Sequence, residues 1–148
     1  MDFEYFNGEY GRLYKEEDGL YHRLAKHFGL SDSAFWIIYT LETAQSPLSQ
    51  TEMCGYLALS KQTINSALKQ LEREGYIRLS DGPGRRKYLE LTSQGQVLAA
   101  RTARPVLAAE ERAFHCMSLE EQASTLYLMR RHLKLMLQEA EQILSQEE

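Results

Sequence analysis

Apolar residues recur every three to four positions along most of this chain, which is the spacing of one face of an α-helix. The spacing predicts a long helix over residues 5–28. It also predicts a helix over residues 34–44, capped by Ser31 or Asp32, that is apolar on most sides and therefore buried. After this helix, Leu48 is predicted to form a short bridge strand.

Two short helices joined by a turn are predicted next. Ser49 and Glu52 form a capping box, in which the serine accepts from a backbone N–H and the glutamate reaches back to the backbone of the serine. This helix is predicted to end near Leu57. Ser60 caps the second helix, whose apolar residues fall on one face. These residues are Ile64, Ala67, Leu68 and Leu71.

Strand-like alternation follows in residues 76–80 and 87–91. Between these segments, Asp81-Gly82-Pro83-Gly84 supplies the residues of a hairpin turn. Helix, turn, helix and hairpin in this order predict a winged helix-turn-helix. That fold places one helix in a DNA major groove and a basic loop beside it.

Two more helices are predicted after the hairpin. Thr92 caps a helix over residues 93–115 that is expected to bend at Pro105. A second capping box opens at Ser118, and the helix that follows is predicted to end near Leu144. The predicted fold class is therefore mainly α with a small β-hairpin wing.

The composition argues against several classes of protein. Hydrophobic residues make up 43% and charged residues 26% of the chain, which is typical of folded globular proteins. No apolar run approaches the ~20 residues of a membrane span. The N-terminus is acidic and aromatic, unlike a signal peptide, and only Cys54 and Cys116 are present. We therefore expect a cytoplasmic protein without disulfide bonds or membrane association.

The net charge of −4 is unusual for a DNA-binding protein, but it is unevenly distributed. Residues 1–59 carry −5 and residues 92–148 carry −2, whereas residues 60–91 carry +3. Local charge governs phosphate contact, and the acidic flanks would repel DNA that approached elsewhere. The charge distribution thus favours DNA binding by the second helix and the hairpin.

The outward face of that second helix carries side chains that suit DNA. Gln and Asn pair bidentately with adenine, Ser serves several bases, and Lys takes guanine or phosphate. Recognition helices present their N-terminal residues to base edges. The residues expected to contact bases are Gln62, Thr63, Asn65 and Ser66. Those expected to contact phosphate are Lys61, Lys69 and Arg73. Taken alone, this pattern also describes a solvated amphipathic helix.

The predicted wing favours the DNA-binding interpretation. Arg85, Arg86 and Lys87 stand together beside a Gly-Pro-Gly tip that is small enough for a narrow groove. An arginine at such a tip can enter the minor groove, where A·T-rich sequence concentrates negative potential. We therefore expect these three residues to contact DNA.

The stretch from Leu59 to Gly95 resembles the core of the MarR family of transcriptional regulators. That family typically shows L-S-x-x-T-[IV]-x-x-x-[LV]-x-x-L-E-x-x-G-[LY]-[IV] and, after the wing, L-T-x-x-G. The matching residues are Leu59, Ser60, Thr63, Ile64, Leu68, Leu71, Glu72, Gly75, Tyr76, Ile77, Leu91, Thr92 and Gly95. The family's wing commonly carries Asp-x-Arg. Here Arg85 occupies the arginine position, but Pro83 replaces the aspartate and Asp81 lies two residues earlier.

This resemblance implies a homodimeric repressor or activator. Its N- and C-terminal helices would form the dimer interface, and a small anionic or phenolic effector would bind between that interface and the DNA-binding lobe. We accordingly predict a single domain over residues 1–148. Residues 30–92 are the predicted winged helix-turn-helix lobe, and residues 1–29 and 93–148 the helical dimerisation lobe.

The apolar pattern of the last helix independently favours a dimer. Its apolar residues form a stripe broader than packing on one neighbour requires, and the N-terminal aromatic residues would be exposed in a monomer. The stripe comprises Leu126, Met129, Leu133, Met136, Leu137, Ala140, Ile143 and Leu144. The alternative is a monomer with a broad core. In a dimer, two recognition helices about 34 Å apart would read a pseudo-palindromic operator in double-stranded DNA.

Candidate effector residues are aromatic or polar and lie mainly in the first two helices. They are Tyr10, Tyr14, Tyr21, His22, Trp36, Tyr39 and Arg112. The alternative is that these are core or interface residues with satisfied polar tips. The histidines and cysteines show no tight ligand spacing, so neither a metal site nor a cofactor is predicted. Cys54 reads as a buried apolar residue, and Cys116 is the better candidate for a thiol sensor.

Three classes of function can be compared on this basis. The first is a dimeric, sequence-specific DNA-binding regulator that responds to a small molecule. The second is a winged-helix protein-interaction module without specific DNA binding, which the acidic pI of 5.6 favours slightly. The third is an enzyme, but no converging nucleophile, base or metal-ligand motif supports one.

Overall fold

The computed structural model describes residues 1–81 and 87–145 of the chain. The described helices are α1 (Phe3–His27), α2 (Asp32–Thr43), α3 (Gln50–Leu57), α4 (Lys61–Arg73), α5 (Ser93–Arg101), α6 (Ala103–His115) and α7 (Leu119–Leu144). The strands are β1 (Leu48–Ser49), β2 (Ile77–Asp81) and β3 (Lys87–Leu91). The chain divides into two compact units, Met1–Val106 and Leu107–Glu148, and each is described by itself. The division into lobes at residues 30 and 92 stays a prediction.

Local capping determines where most helices begin, and these predictions are confirmed. Of the two residues predicted to cap α2, Ser31 does so, by accepting a hydrogen bond from the backbone N–H of Ala34. Ser49 and Ser118 both form complete capping boxes, at the starts of α3 and α7. Each box satisfies backbone N–H groups that the first helical turn leaves without partners.

A three-stranded antiparallel sheet, in the order β1-β3-β2, forms beside these helices. The bridge strand predicted at Leu48 is confirmed, and Leu48 pairs with Leu89 of β3. Strand β2 begins at Ile77, one residue later than predicted, because the N–H of Tyr76 donates instead to the carbonyl of Leu71 at the end of α4. The mainly α fold with a small sheet is therefore confirmed.

The helix predicted over residues 93–115 is instead two helices, and the break lies at Thr102. The backbone of Thr102 leaves the helical region, with φ −125° and ψ −76°, while its hydroxyl donates to the carbonyl of Leu98 at 2.8 Å. Pro105 clashes with the carbonyl four residues earlier, so a continuous helix must be interrupted before it. Pro105 then occupies the first turn of α6, where no N–H is needed. The prediction of a bend at Pro105 was therefore wrong by three residues.

The core of the first unit is centred on α2. Phe35, Ile37 and Ile38 of this helix are all fully buried. The apolar stripe of α4 predicted from the sequence is buried against Ile37 and Ile38, together with Leu89 of β3, whereas Phe35 packs in a second cluster with Ala25 and Val106. Burying a side chain of this size stabilises the fold by about 1.5–3 kcal/mol. Helix α4 is thus held by its inner face, which leaves its outer face available to solvent.

The hairpin is joined to α5 by a close backbone contact. The hydroxyl of Thr92 donates to the carbonyl of Gly75 at 2.5 Å and accepts from the N–H of Gly95 at 3.1 Å. A Cβ atom at Gly95 would lie 1.9 Å from the carbonyl oxygen of Tyr76. Only glycine therefore fits at residue 95, which gives a physical reason for the L-T-x-x-G motif.

The second unit contains most of α6 and the whole of α7. The side chain of Gln122 donates to the carbonyls of Phe114 and Met117, which closes the turn between the two helices. Helix α7 has no buried residue over its 26 positions. Among the described residues, no helix is both long enough and apolar enough to cross a lipid bilayer.

Candidate nucleic-acid interface and adjoining cleft

The outer face of α4 presents a row of polar and basic side chains to solvent. With 100° between successive residues, the direction opposite the buried stripe passes through Gln62, Ser66, Lys69 and Arg73. These four residues are exposed, as is Lys61 at the first turn. Within the described part of the chain, no hydrogen bond or ion pair engages the side chains of these five residues. They can therefore meet a ligand without breaking contacts within the protein.

Two other predicted base-contacting residues already have partners in the protein. Asn65 is partly buried, and its side-chain oxygen accepts a hydrogen bond of 2.6 Å from the side-chain amide of Gln50 on α3. The hydroxyl of Thr63 lies 2.8 Å from that of Ser60, the N-cap of α4. Both contacts fix the start of α4. The geometry therefore favours Gln62 and Ser66 over Asn65 and Thr63 as base readers, although all four stay predictions.

The described cations of the hairpin are both paired across it. Arg78 contacts Glu90 at 2.9 Å, and the hydrogen bond from Ser80 together with that cation lowers the pKa of Glu90. Lys87 lies 3.5 Å from Asp81, and both side chains are largely exposed. Exposed pairs of this kind contribute little and exchange readily for other partners. Lys87 thus remains available to phosphate, and Asp81 has a partner other than the arginines of the tip.

The predicted wing contacts of Arg85 and Arg86 lie outside the described residues, as does the substitution of Pro83 for the family's aspartate. The described strands do show where the tip is attached. Asp81 and Lys87 are paired in register at the ends of β2 and β3, so residues 82–86 connect two adjacent positions. The predicted site residues of the wing stay predictions.

A cleft of about 920 Å³ opens within the first unit, between α1, the C-terminal part of α2 and the turn that links α3 to α4. Its walls are largely aromatic or apolar and include Ala58 and Leu59 of the α3–α4 turn. The lining residues of most interest are Tyr14, Asp18, Trp36, Tyr39, Tyr56 and the segment 57–59. A cleft of this volume is large enough for a drug-sized ligand.

The structure brings three of the predicted effector residues to the cleft. A fourth, Tyr21, does not line the cleft but packs on Trp36 with ring centroids 4.7 Å apart. Tyr14, Trp36 and Tyr39 line the cleft, whereas Tyr10 does not, and Tyr10 stacks instead on Phe6 of the same helix. His22 lies 3.0 Å from Asp32 at a separate surface hollow. Arg112 is exposed on α6, in the second unit.

Sequence reasoning did not single out Asp18 or Tyr56 as lining residues. Asp18 lies one helical turn after Tyr14 on α1, so the spacing of these residues could have indicated a shared face. Tyr56 is 71% exposed although it is a large aromatic residue. No local pattern distinguishes it, because it reaches the cleft only through the packing of α3 beside α2.

The two cysteines differ in their surroundings. Cys54 packs against the main core cluster, as predicted for a small apolar residue, whereas Cys116 is exposed just after α6. A role of Cys116 as a thiol sensor stays a prediction. Among the described residues, no three His, Cys, Asp or Glu side chains are close enough together to hold a metal ion.

Comparison with known protein families gives one match. Residues 28–87 match the model of the MarR family, a segment that runs from the end of α1 to the start of β3. This segment contains α4 and β2. No match to the chain was found among curated proteins.

Solved structures of similar architecture cover nearly the whole chain. A MarR family regulator from Neisseria meningitidis is 19% identical, with a TM-score of 0.77, and the match covers 91% of this chain and 96% of that one. A MarR/EmrR family transcriptional regulator from Acinetobacter sp. ADP1 is 20% identical, with a TM-score of 0.70 and coverages of 93% and 99%. MepR of Staphylococcus aureus, solved as a DNA complex, is 19% identical, with a TM-score of 0.65 and coverages of 92% and 98%. At these identities the likeness establishes the fold alone.

Proposed function

We propose that this chain, which belongs to the MarR family through residues 28–87, is a dimeric, sequence-specific regulator that binds double-stranded DNA. The observation that carries the proposal is the outer face of α4. Gln62, Ser66, Lys69 and Arg73 point away from the core without partners among the described residues. A helix held by its inner face and free on its outer face can enter a major groove without rearranging the fold.

The distribution of charge supports the same surface. Residues 60–91 are the one basic segment of an otherwise acidic chain. Lysine and arginine release counterions when they neutralise phosphates, which gives a sequence-independent part of the affinity. Gln62 and Ser66 lie in the first half of α4 and would read base edges, while Lys69 and Arg73 lie nearer its end and would contact phosphate. MepR, a protein of similar fold, has been solved in complex with DNA, which supports the same kind of partner for this chain.

The proposed dimer is supported by two exposed apolar surfaces. In α7, ten leucine, isoleucine and methionine side chains are at least half exposed, and these are Leu119, Leu126, Leu128, Met129, Leu133, Leu135, Met136, Leu137, Ile143 and Leu144. In α1, Phe3 is 76% and Leu13 is 56% exposed. Monomeric proteins rarely expose contiguous apolar patches of this extent. A second copy of the chain would cover them and would present two α4 helices to a pseudo-palindromic operator.

A response to a small-molecule effector completes the proposal. The cleft beside α4 supports it, because the turn formed by residues 57–59 is both a wall of the cleft and the segment that leads into α4. A ligand that binds better to one position of this turn than to another would shift the population of DNA-competent dimers. Whether the protein represses or activates depends on where the operator lies.

The experiment that tests the proposal is selection of bound duplexes from a random pool by the full-length chain. A regulator should enrich one pseudo-palindromic motif, with binding that weakens steeply as salt rises. Replacing Arg73→Glu should weaken binding to that motif by at least about tenfold, because each dimer places two such residues at phosphates. The double replacement of Arg85 and Arg86 by glutamate tests the wing in the same way.

Arg101→Glu is the matched control. It makes the same change of charge at an exposed position of α5, which is not part of the outer face of α4. It should leave affinity for the motif within about threefold. Equal losses in Arg73→Glu and Arg101→Glu would indicate a general charge effect and would contradict a specific role for α4. If no motif were enriched, the chain would instead be a winged-helix protein-interaction module, the alternative that its net charge of −4 favours.

A further inference from the structure

The charge of the cleft is unsuited to the anionic effectors that the family resemblance implies. Among the described residues that line it, Asp18 is the one charged side chain, and no lysine, arginine or histidine contributes. Asp18 is exposed, and no ion pair or hydrogen bond within the described chain engages it. An anionic ligand would therefore meet an uncompensated carboxylate and no cation.

Helix ends add to this negative character. The lining includes Thr43 and Ala44 at the C-terminus of α2, and Leu57 and Ala58 at the C-terminus of α3. The C-terminal end of a helix carries a partial negative charge and favours cations. Helix α4, whose N-terminus would favour an anion, begins at Lys61, and the lining stops at Leu59.

Aromatic rings form the remaining surface that a cation would use. Tyr14, Trp36, Tyr39 and Tyr56 all line the cleft. Trp36 and Tyr39 lie edge to face with ring centroids 5.3 Å apart, so the two rings present differently oriented surfaces to the cleft. The faces of tryptophan and tyrosine rings attract cations, most strongly where water is excluded.

We propose that the cleft binds a bulky aromatic cation, with Asp18 and the ends of α2 and α3 supplying negative potential and the aromatic rings supplying contact area. The proposal deepens the proposed function, on which it rests for the regulatory consequence. It replaces the anionic or phenolic effector implied by the family resemblance with one of opposite charge. The ligand would act on DNA binding through residues 57–59, which precede α4.

Tetraphenylphosphonium and tetraphenylborate provide a direct test, because they share shape and size but carry opposite charges. Trp36 is the one tryptophan of the chain and lines the cleft, so its fluorescence reports occupancy without a label. Titration of the full-length protein in sodium buffer, without DNA, should show saturable binding of the phosphonium. The borate should bind more weakly, by a factor on the order of ten.

The variant Asp18→Asn should weaken phosphonium binding about threefold or more and narrow the difference between the two ions. Glu17→Gln is the control, since it removes the same charge from the preceding residue of α1, which does not line the cleft. Equal or tighter binding of the borate would overturn the proposal. So would an absence of saturable phosphonium binding, or the same loss in Asp18→Asn and Glu17→Gln.

A second experiment distinguishes a failure of the proposed ligand site from a failure of the proposed DNA-binding function. The phosphonium is added to the complex between the protein and the duplex enriched by selection, and the affinity for DNA should change at least about threefold. Saturable phosphonium binding by a protein that enriches no duplex would preserve the ligand site and refute the DNA-binding function. Enrichment of a duplex by a protein that does not bind the phosphonium would preserve the DNA-binding function and refute the ligand site.

Discussion

The variant Gly95→Ala tests how the hairpin is attached to the helices. Gly95 lies in the first turn of α5, where alanine should favour the helix by about 0.5–1 kcal/mol on backbone grounds alone. The surrounding structure opposes this gain. A Cβ at residue 95 would lie 1.9 Å from the carbonyl oxygen of Tyr76 and 3.2 Å from a methyl carbon of Leu91.

The size of the effect follows from the first of these distances. A relaxed contact between carbon and oxygen is about 3.3 Å, so the two backbones would have to separate by about 1.4 Å. The carbonyl of Tyr76 cannot turn aside freely, because it accepts a hydrogen bond of 3.0 Å from the backbone N–H of Thr92. Overpacking of this kind costs about 3 kcal/mol or somewhat more. After subtracting the helix gain, we expect a net destabilisation of about 2–3 kcal/mol.

Urea unfolding followed by circular dichroism, at one fixed protein concentration, measures this change. Gly55→Ala is the matched control, because it makes the same substitution within α3 where nothing lies within 4 Å of the new Cβ. The control should gain about 0.5–1 kcal/mol. We also expect Gly95→Ala to weaken DNA binding, since the hairpin must move relative to α4.

A Gly95→Ala protein as stable as the parent, or stabilised as much as Gly55→Ala, would refute this reasoning. Such a result would mean that the carbonyl of Tyr76 and the start of α5 can separate at little cost. The glycine of the L-T-x-x-G motif would then need an explanation other than the close contact between residue 95 and the backbone of Tyr76.

Three further predictions concern other parts of the chain. Ala58 has a left-handed backbone, with φ +49°, so Ala58→Gly should raise the free energy of unfolding by up to about 1 kcal/mol in the same urea assay; a loss would contradict strain at this turn. Leu133 is 60% exposed on α7, and Leu133→Glu should raise the dimer dissociation constant at least about 100-fold in sedimentation experiments, since two copies lose apolar burial. Lys134→Glu should leave the dimer intact, and dissociation of both variants would argue against a specific apolar interface. Hydrogen bonds from Ser118, first from its backbone and then from its side chain, lower the pKa of Glu121, so this carboxylate stabilises the fold above its ordinary titration range and the effect is lost as the pH falls through the lowered pKa. In Glu121→Gln, the free energy of unfolding should therefore fall less steeply as the pH is lowered. An unchanged pH dependence would show that the capping carboxylate does not contribute.

The local chemistry of the chain was sufficient to predict most element boundaries. Ser49 with Glu52, and Ser118 with Glu121, satisfy orphan backbone groups within one turn, so the signal for each helix start lies in four consecutive residues. The buried stripe of α4 was also predictable, because a period of 3.6 residues places its apolar residues on one face whatever lies opposite. The outer face of the candidate recognition helix follows from the same periodicity.

Other features depend on what distant segments bring into contact. Pro105 requires an interruption of the helix before it but does not determine the residue at which the interruption lies. The interruption lies at Thr102, whose buried hydroxyl donates a hydrogen bond to the carbonyl of Leu98. Asn65 has a side chain that could read a base, yet its side-chain oxygen accepts a hydrogen bond from Gln50, fifteen positions earlier in the chain. A periodic pattern carries no information about partners at such separations.

The sequence by itself determined the order of elements, the helix starts, the inner and outer faces of α4 and the position of the basic segment, because each of these depends on neighbouring residues. Only the tertiary structure decided the cleft. Its lining comes from three helices and spans some forty residues of sequence, with Tyr14 and Asp18 on α1, Trp36 on α2 and Tyr56 on α3. A negatively charged, aromatic surface forms only when these three helices pack together, because the electrostatic potential and the ring surfaces depend on distances in space and not on separation along the chain.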